Sequence, residues 1–127
     1  MDENTVIEKT IKYLGSRGWI IKEKHLGHEH KVDIKAFHPV NRRYYYIEAK
    51  GDPKKASKSA EAQEENYFIS AIGEIVLRIQ SKKASLYGIA LPESYEHKLK
   101  KVHKEVRKRL NLHFLIVKKN GKVDDIH

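Results

Sequence analysis

Residues 44–50 read YYYIEAK, and this stretch decides the fold. Its three tyrosines and its isoleucine predict a β-strand, because aromatic and β-branched side chains suit a pleated, half-buried backbone. Successive side chains of a strand point to opposite faces. Glu48 and Lys50 therefore share one face, while Ile47 and Ala49 share the other. The strand ends by placing two opposite charges on one surface.

The segment before it, residues 32–37 (VDIKAF), alternates in the same way and predicts a second strand. If the two strands pair antiparallel with Phe37 opposite Tyr44, then Asp33 comes opposite Glu48. Facing strand residues have Cβ atoms about 5 Å apart. This register places two carboxylates side by side, with the lysine of YYYIEAK one step beyond.

Two carboxylates at about 5 Å repel by roughly 3 kcal/mol at an effective dielectric of about 20. A proton, Lys50 or a divalent cation would offset that repulsion, and carboxylate oxygens with open water positions suit Mg²⁺ or Mn²⁺. Such a metal polarises a phosphoryl oxygen and acidifies a bound water, which Lys50 would orient or deprotonate. The alternative is a cross-strand salt-bridge ladder of Asp33, Glu48 and Lys50 on a solvated face, although Asp is disfavoured in strands.

The rest of the chain alternates between helical and strand patterns. The predicted elements are a helix over 5–14, a strand over 18–23, a polar loop over 25–31, a turn over 38–43, a helix over 56–79, a strand over 86–92, an amphipathic helix over 94–110, a strand over 112–119, and an Asn120-Gly121 turn that pairs 122–126 back. This order predicts an α/β fold with a mixed β-sheet flanked by helices on both faces. Residues 1–127 form one domain.

The composition favours a basic, globular protein. The net charge of +9 and a pI near 9.6 favour polyanions such as nucleic acid, although a lysine-rich solubilising surface has the same composition. The absence of cysteine excludes disulfides and thiolate metal sites. With no apolar run long enough to cross a membrane and no signal-peptide pattern, we expect a cytoplasmic protein without a membrane partner.

Asp33, fourteen intervening residues, and then Glu48-Ala49-Lys50 resemble the PD-(D/E)XK nuclease signature of the restriction-endonuclease-like fold. Val32 stands where that signature has proline. A first helix with Glu8, a Gly-Trp strand start at 18–19 and the hairpin resemble Holliday-junction resolvases and Mrr-type endonucleases.

The resemblance continues into the next helix, where Gln63-Glu-Glu-Asn-Tyr67 is similar to the Q-x-x-x-Y element of RecB-like nucleases. Together the similar parts cover about residues 5–80. Beyond them the chain carries no motif that we recognise.

The resemblance implies a metal-dependent nuclease that hydrolyses phosphodiester bonds, with DNA as its partner and Mg²⁺ (or Mn²⁺) as its cofactor. The implied catalytic residues are Asp33, Glu48, Lys50, Glu8 and Gln63, and the implied metal ligands are Asp33, Glu48, Glu8 and the backbone of Ala49. Gln63 and Tyr67 would line the DNA side. Without a recognition domain, the protein would select DNA structure or act with a larger protein partner, and a homodimer would supply two sites for two strands.

Several of these residues have an ordinary structural alternative. Thr5-x-x-Glu8 has the pattern of a helix capping box, in which Glu8 bonds back to the Thr5 amide. Tyr67 also suits the edge of the core beside Phe68. Both alternatives stay open at the level of sequence.

The remaining candidates are basic residues that would contact phosphates. Arg42 and Arg43 lie in the hairpin turn, and His30 belongs to a loop with His25 and His28 that lacks zinc-like ligand spacing. That loop is either solvated or faces DNA, and the basic face of the helix over 94–110 is open to the same two interpretations.

Two functions without chemistry compete with the nuclease. One is an inactive nucleic-acid-binding module with the same fold, and the other is an accessory subunit of a larger enzyme. Paired carboxylates in a basic protein argue against both, because they would repel phosphate unless a metal screened them.

Overall fold

The computed structural model describes residues 1–25, 32–54, 60–79 and 85–127, which form one six-stranded sheet with helices on both faces. The α/β, restriction-endonuclease-like fold predicted from the sequence is confirmed. The elements are α1 (Glu3–Ser16), β1 (Ile20–Lys24), β2 (Ile34–His38), β3 (Arg43–Ala49), α2 (Ala60–Arg78), β4 (Ser85–Pro92), a 3₁₀ helix (Glu93–Lys101), α3 (Lys104–Leu110), β5 (Leu112–Val117) and β6 (Val123–Ile126).

The strands lie side by side in chain order, from β1 to β6. The pairs β1–β2, β2–β3 and β5–β6 are antiparallel, whereas β3–β4 and β4–β5 are parallel. The mixture follows from the connections, because short turns join antiparallel strands and helical crossovers join parallel ones. Phe37 pairs with Tyr44, so the predicted register of the β2–β3 hairpin is correct.

Each face of the sheet has its own hydrophobic core. On one face, α1 buries Val6, Ile7 and Leu14 against a cluster that includes Ile47 and Ala49. On the other face, α2 and the 3₁₀ helix pack on β4 and β5, and the cluster includes Phe68, Ile75 and Tyr95. Because side chains alternate along β3, Glu48 points to the α2 face.

The predicted helix over 94–110 is wrong as a single element. The chain instead forms the 3₁₀ helix and α3, separated at Val102, which has an extended backbone. Tyr95 and Leu99 point inward as predicted, but Val106 is 45% exposed. Val102 and Leu110 also pack against the cluster that contains Tyr95 and Leu99. The inward prediction therefore fails at Val106, because the extended backbone at Val102 interrupts the helical phase between the two elements.

Lys98 is a second correction to that segment. The sequence placed it on a basic outer face, but it is 4% exposed, and its ammonium donates to Glu65 of α2 at 2.5 Å. Burial of a lysine is tolerated here because a carboxylate satisfies the charge.

The start of α1 differs from the capping box expected at Thr5 and Glu8. Asp2 is the N-cap residue, and its side chain accepts a hydrogen bond of 2.8 Å from the backbone N–H of Thr5. Thr5 lies inside the helix, so the capping-box alternative for Glu8 is wrong. Within the described residues, no helix is long and apolar enough to cross a membrane.

Candidate active site

Asp33 and Glu48 are buried side by side at one end of the β2–β3 hairpin, as the register predicted. Asp33 directly precedes β2 and is 7% exposed, and Glu48 in β3 is 3% exposed. The Asp33 Oδ2 atom accepts a hydrogen bond of 2.7 Å from the backbone N–H of Ala49. This bond extends the strand pairing beyond the ladder and fixes the Asp33 side chain next to Glu48.

The two carboxylates strongly affect each other's protonation. The pKa of Glu48 is raised to about 8. Burial is the largest cause and the negative charge of Asp33 is the second, while the hydrogen bond from the Arg78 guanidinium opposes the shift. Burial likewise raises the pKa of Asp33, against its hydrogen bond from Ala49. Without a further cation, the pair therefore retains a proton at neutral pH.

Two side chains of α2 complete the charge network, and sequence reasoning missed both. Arg78 Nε donates to Glu48 Oε1 at 2.9 Å, and Lys50 Nζ donates to Glu74 Oε1 at 3.3 Å. Residues four apart share one helix face, so Glu74 and Arg78 both reach the sheet. The available signal was their charge in the largely apolar last turns of α2, GEIVLR at 73–78.

A salt-bridge ladder on a solvated face, the structural alternative for this site, does not match the structure. Asp33 and Glu48 are buried rather than solvated, and α2 covers their face. The lysine of the motif pairs with Glu74 of the helix instead of bridging the two strand carboxylates.

Glu8, the third expected ligand, lies apart from this pair. Its carboxylate is 53% exposed and accepts from Lys24 of β1 at 3.1 Å. The helix that carries it packs on the opposite face of the sheet from Glu48. The structure therefore does not bring Glu8 into contact with the two buried carboxylates.

Gln63 and Tyr67 lie on the same side of α2 as Glu74 but near the other end of the helix. Gln63 precedes Glu74 by eleven residues, which is roughly 16 Å along a helix axis. Tyr67 packs against the hydrophobic cluster that contains Phe68, as its structural alternative predicted. Among the described residues, the buried Gln63 Oε1 atom has no hydrogen-bond partner.

The basic candidates also lie away from the carboxylates. Arg43 begins β3, and Arg42 precedes it in the turn with φ of 55°. Glu48 lies five positions after Arg43 in the same strand, which corresponds to roughly 16 Å. His30 lies outside the described residues.

The donor set fits a hard divalent cation. Asp33 and Glu48 provide buried oxygen ligands whose mutual repulsion a cation would relieve. The Ala49 amide points to Asp33, and the N–H and C=O of one strand residue point the same way, so the Ala49 carbonyl lies on that side too. These three groups would hold Mg²⁺ or Mn²⁺.

Comparison with known proteins supports the fold alone. No family model and no curated protein matches the chain. Among solved structures, it is similar to an XisH family protein from Nostoc punctiforme PCC 73102, with a TM-score of 0.61, 16% identity and 98% of each chain covered. It is also similar to an fdxN element excision controlling factor protein from Anabaena variabilis, with a TM-score of 0.55, 16% identity and the same coverage.

Proposed function

We propose that this protein is a metal-dependent nuclease that hydrolyses phosphodiester bonds in DNA. The observation that carries the proposal is the buried pair of Asp33 and Glu48, with Lys50 next along the strand, in a chain of net charge +9. Two buried carboxylates that repel each other are unusual unless they have a functional role, and residues with perturbed pKa values are concentrated at functional sites.

Each residue of the site has a role that follows from its position. Asp33, Glu48 and the Ala49 carbonyl would hold the cation, which when bound supplies Lewis-acid stabilisation of a phosphoryl oxygen and a more acidic water. Lys50 directly follows β3, and its ammonium would orient the attacking water. The hydrogen bond from Ala49 fixes Asp33, so its carboxylate is positioned before any ligand arrives.

Glu74 and Arg78 regulate the charge of this site from α2. Arg78 offsets part of the Glu48 charge, and Glu74 holds the Lys50 ammonium. With both pairs formed, the site is close to electrically balanced before DNA binds. Glu74 would thereby position the Lys50 ammonium, whose nitrogen lies 3.3 Å from the Glu74 carboxylate.

The test is cleavage of plasmid, linear and four-way-junction DNA with Mg²⁺ or Mn²⁺. The native chain should cut at least one substrate, EDTA should stop the cleavage, and Asp33→Asn and Glu48→Gln should each abolish it. The matched control is Glu61→Gln, which removes an exposed carboxylate from the first turn of α2. Cleavage that survives both site substitutions would contradict the proposal.

An inactive DNA-binding or accessory role is the second candidate. The observation that favours it is the internal pairing of Glu48 with Arg78 and of Lys50 with Glu74, which neutralises the site's charges without a metal. One protein of similar fold is an excision controlling factor. DNA binding that EDTA does not affect, with no cleavage of any substrate, would favour this second function.

A further inference from the structure

We propose a second metal site, for Zn²⁺, formed by His113, Asp125 and His127 on the sheet face opposite to Glu48. His113 belongs to β5, and Asp125 lies in the edge strand β6. These three side chains form a group of potential ligands whose ligand atoms all lie within 4.8 Å of one another. The site is independent of the proposed nuclease function.

The register of the β5–β6 hairpin brings the three residues together. Leu115 pairs with Asp125 and Phe114 with Ile126, so the next position places His113 opposite His127. Residues two apart on a strand share a face, and Leu115 belongs to the core under α1. The three ligands therefore share the α1 face.

The distances suit a small cation after a modest adjustment. Asp125 Oδ1 lies 2.7 Å from His113 Nδ1 and 3.6 Å from His127 Nδ1. Zinc bonds of about 2.0–2.1 Å with tetrahedral angles require ligand atoms about 3.3 Å apart. The first contact, a hydrogen bond at present, has to lengthen. The three ligand atoms, which lie within 4.8 Å of one another, have to adjust to this spacing.

The kinds of ligand atom in this group determine which metal it would prefer. Two imidazole nitrogens and one carboxylate are ligands that favour Zn²⁺, whereas Mg²⁺ prefers a shell of oxygen atoms. Three protein ligands leave a fourth position to water, as in other open zinc sites. The two histidine rings are already stacked, with their centroids 4.7 Å apart.

A buried tyrosine provides an independent observation. Tyr45 is 2% exposed, its ring meets the His113 ring edge-on at 5.7 Å, and its hydroxyl has no hydrogen-bond partner among the described residues. Gly88 permits this placement, because a Cβ there would lie 2.7 Å from Tyr45 Cε1 and 3.0 Å from the hydroxyl. Tyr45 thus reaches across β4 to the histidine cluster, where a solvent ligand of zinc is the kind of partner that the hydroxyl lacks.

Zinc bound at this position would link the edge strand β6 to its neighbour β5. β6 has four residues and pairs only with β5 in the described sheet. A ligand that binds the folded chain but not the unfolded one raises stability with its concentration. We therefore expect Zn²⁺ to stabilise the chain as well as to bind it.

The experiment is titration of the full, EDTA-treated and desalted chain with Zn²⁺ by calorimetry, with thermal unfolding as a second measurement. We expect the group of His113, Asp125 and His127 to bind one Zn²⁺ in each chain, and we expect the melting temperature of the chain to rise. Asp125→Asn and His127→Ala should each weaken binding at least tenfold, and Co²⁺ should give a visible absorption band that both variants lose.

Asp124→Asn is the matched control, because Asp124 neighbours Asp125 but pairs with Lys118 at 3.2 Å. It should bind Zn²⁺ as the native chain does. Glu48→Gln should keep the Zn²⁺ binding that Asp125→Asn loses, which separates this site from the proposed nuclease site. His127 is largely exposed, so its substitution tests the ligand without disturbing the core. Absence of binding to the native chain, or binding that both ligand variants retain, would overturn the proposal.

Discussion

Three features of its surroundings determine the pKa of Glu48: burial, the carboxylate of Asp33 and the guanidinium of Arg78. Burial and Asp33 favour the protonated acid, and Arg78 favours the anion. The resulting pKa of about 8 lies above the ordinary value of 4.5. The folded chain therefore keeps a proton on Glu48 across a pH range in which the unfolded chain has lost it.

This difference predicts a pH-dependent stability. Between about pH 4.5 and 8 the folded state binds more protons than the unfolded state, so the free energy of unfolding falls as pH rises, and above pH 8 the contribution is constant. In EDTA, Glu48→Gln should flatten this slope, since an amide cannot ionise. Urea unfolding at several pH values measures it, with Glu61→Gln as the control, and an unchanged slope in Glu48→Gln would contradict the assignment.

Gly51, next to Lys50, allows a close backbone approach that a side chain would block. A Cβ there would lie 2.5 Å from the backbone nitrogen of Glu3 and 2.7 Å from the carbonyl carbon of Asp2. We expect Gly51→Ala to lower the free energy of unfolding by about 1–3 kcal/mol, as overpacking does.

The control for this substitution is Gly15→Ala, because Gly15 lies in α1 with open space around its Cα. Alanine at that position should be neutral or stabilising by about 0.5–1 kcal/mol. Denaturant midpoints compare the two variants, and equal effects would show that the contact at Gly51 has no consequence.

At the scale of elements, the 3₁₀ helix and α2 are joined by an ion-pair cluster. Glu65 receives hydrogen bonds from Lys98 and Lys101, which lower the pKa of Glu65 to about 2. A lowered carboxyl pKa contributes stability that is present above the unfolded pKa of about 4.5 and is lost as pH falls toward 2.

Glu65→Gln should therefore lower the melting temperature at pH 7, because the buried Lys98 ammonium loses its shortest carboxylate contact. The difference from the native chain should shrink as pH falls from about 4.5 to 2. Thermal unfolding across this range measures it. Glu61→Gln, in the first turn of α2, should show no such dependence, and a pH-independent effect of Glu65→Gln would argue for lost packing instead.

The hairpin and its two carboxylates follow from the sequence because β-alternation and a short turn determine register locally. The α2 partners do not follow in the same way. Helical periodicity shows only that Gln63 and Glu74 share one face, and it does not determine which turn of α2 crosses the strand that carries Glu48. That position depends on packing between elements, such as the stacking of Phe68 on Phe114. The resemblance named Gln63 and Tyr67 of this helix, whereas Glu74 and Arg78 are the α2 side chains that contact Lys50 and Glu48.

At the scale of the whole molecule, the exposed side of α2 differs from the rest of a strongly charged surface. Between positions 62 and 77, every exposed residue of this helix is uncharged: Ala62, Asn66, Ile69, Ser70, Gly73, Val76 and Leu77. Ile69 is 58% exposed and Leu77 is 87% exposed. An outward helix face normally carries charged and polar residues, so this face, the α2 stripe, requires an explanation.

We expect the α2 stripe to join two copies of this chain. In a molecule of net charge +9, two copies repel, and a face without cations is where they can approach. A symmetric contact there would also place two candidate sites near one another, because Glu74 and Arg78 belong to the same helix. The homodimer expected for cutting two strands would then use α2.

The prediction is a concentration-dependent dimer that Leu77→Glu and Ile69→Glu convert to monomer, since each would bury a charge in the contact. Sedimentation equilibrium measures it. Val40→Glu is the control, because Val40 is 81% exposed in the β2–β3 turn and should leave the dimer intact. A native chain that stays monomeric at all concentrations would exclude self-association through this face. The uncharged α2 stripe beside the candidate site would then be the surface for a different protein partner.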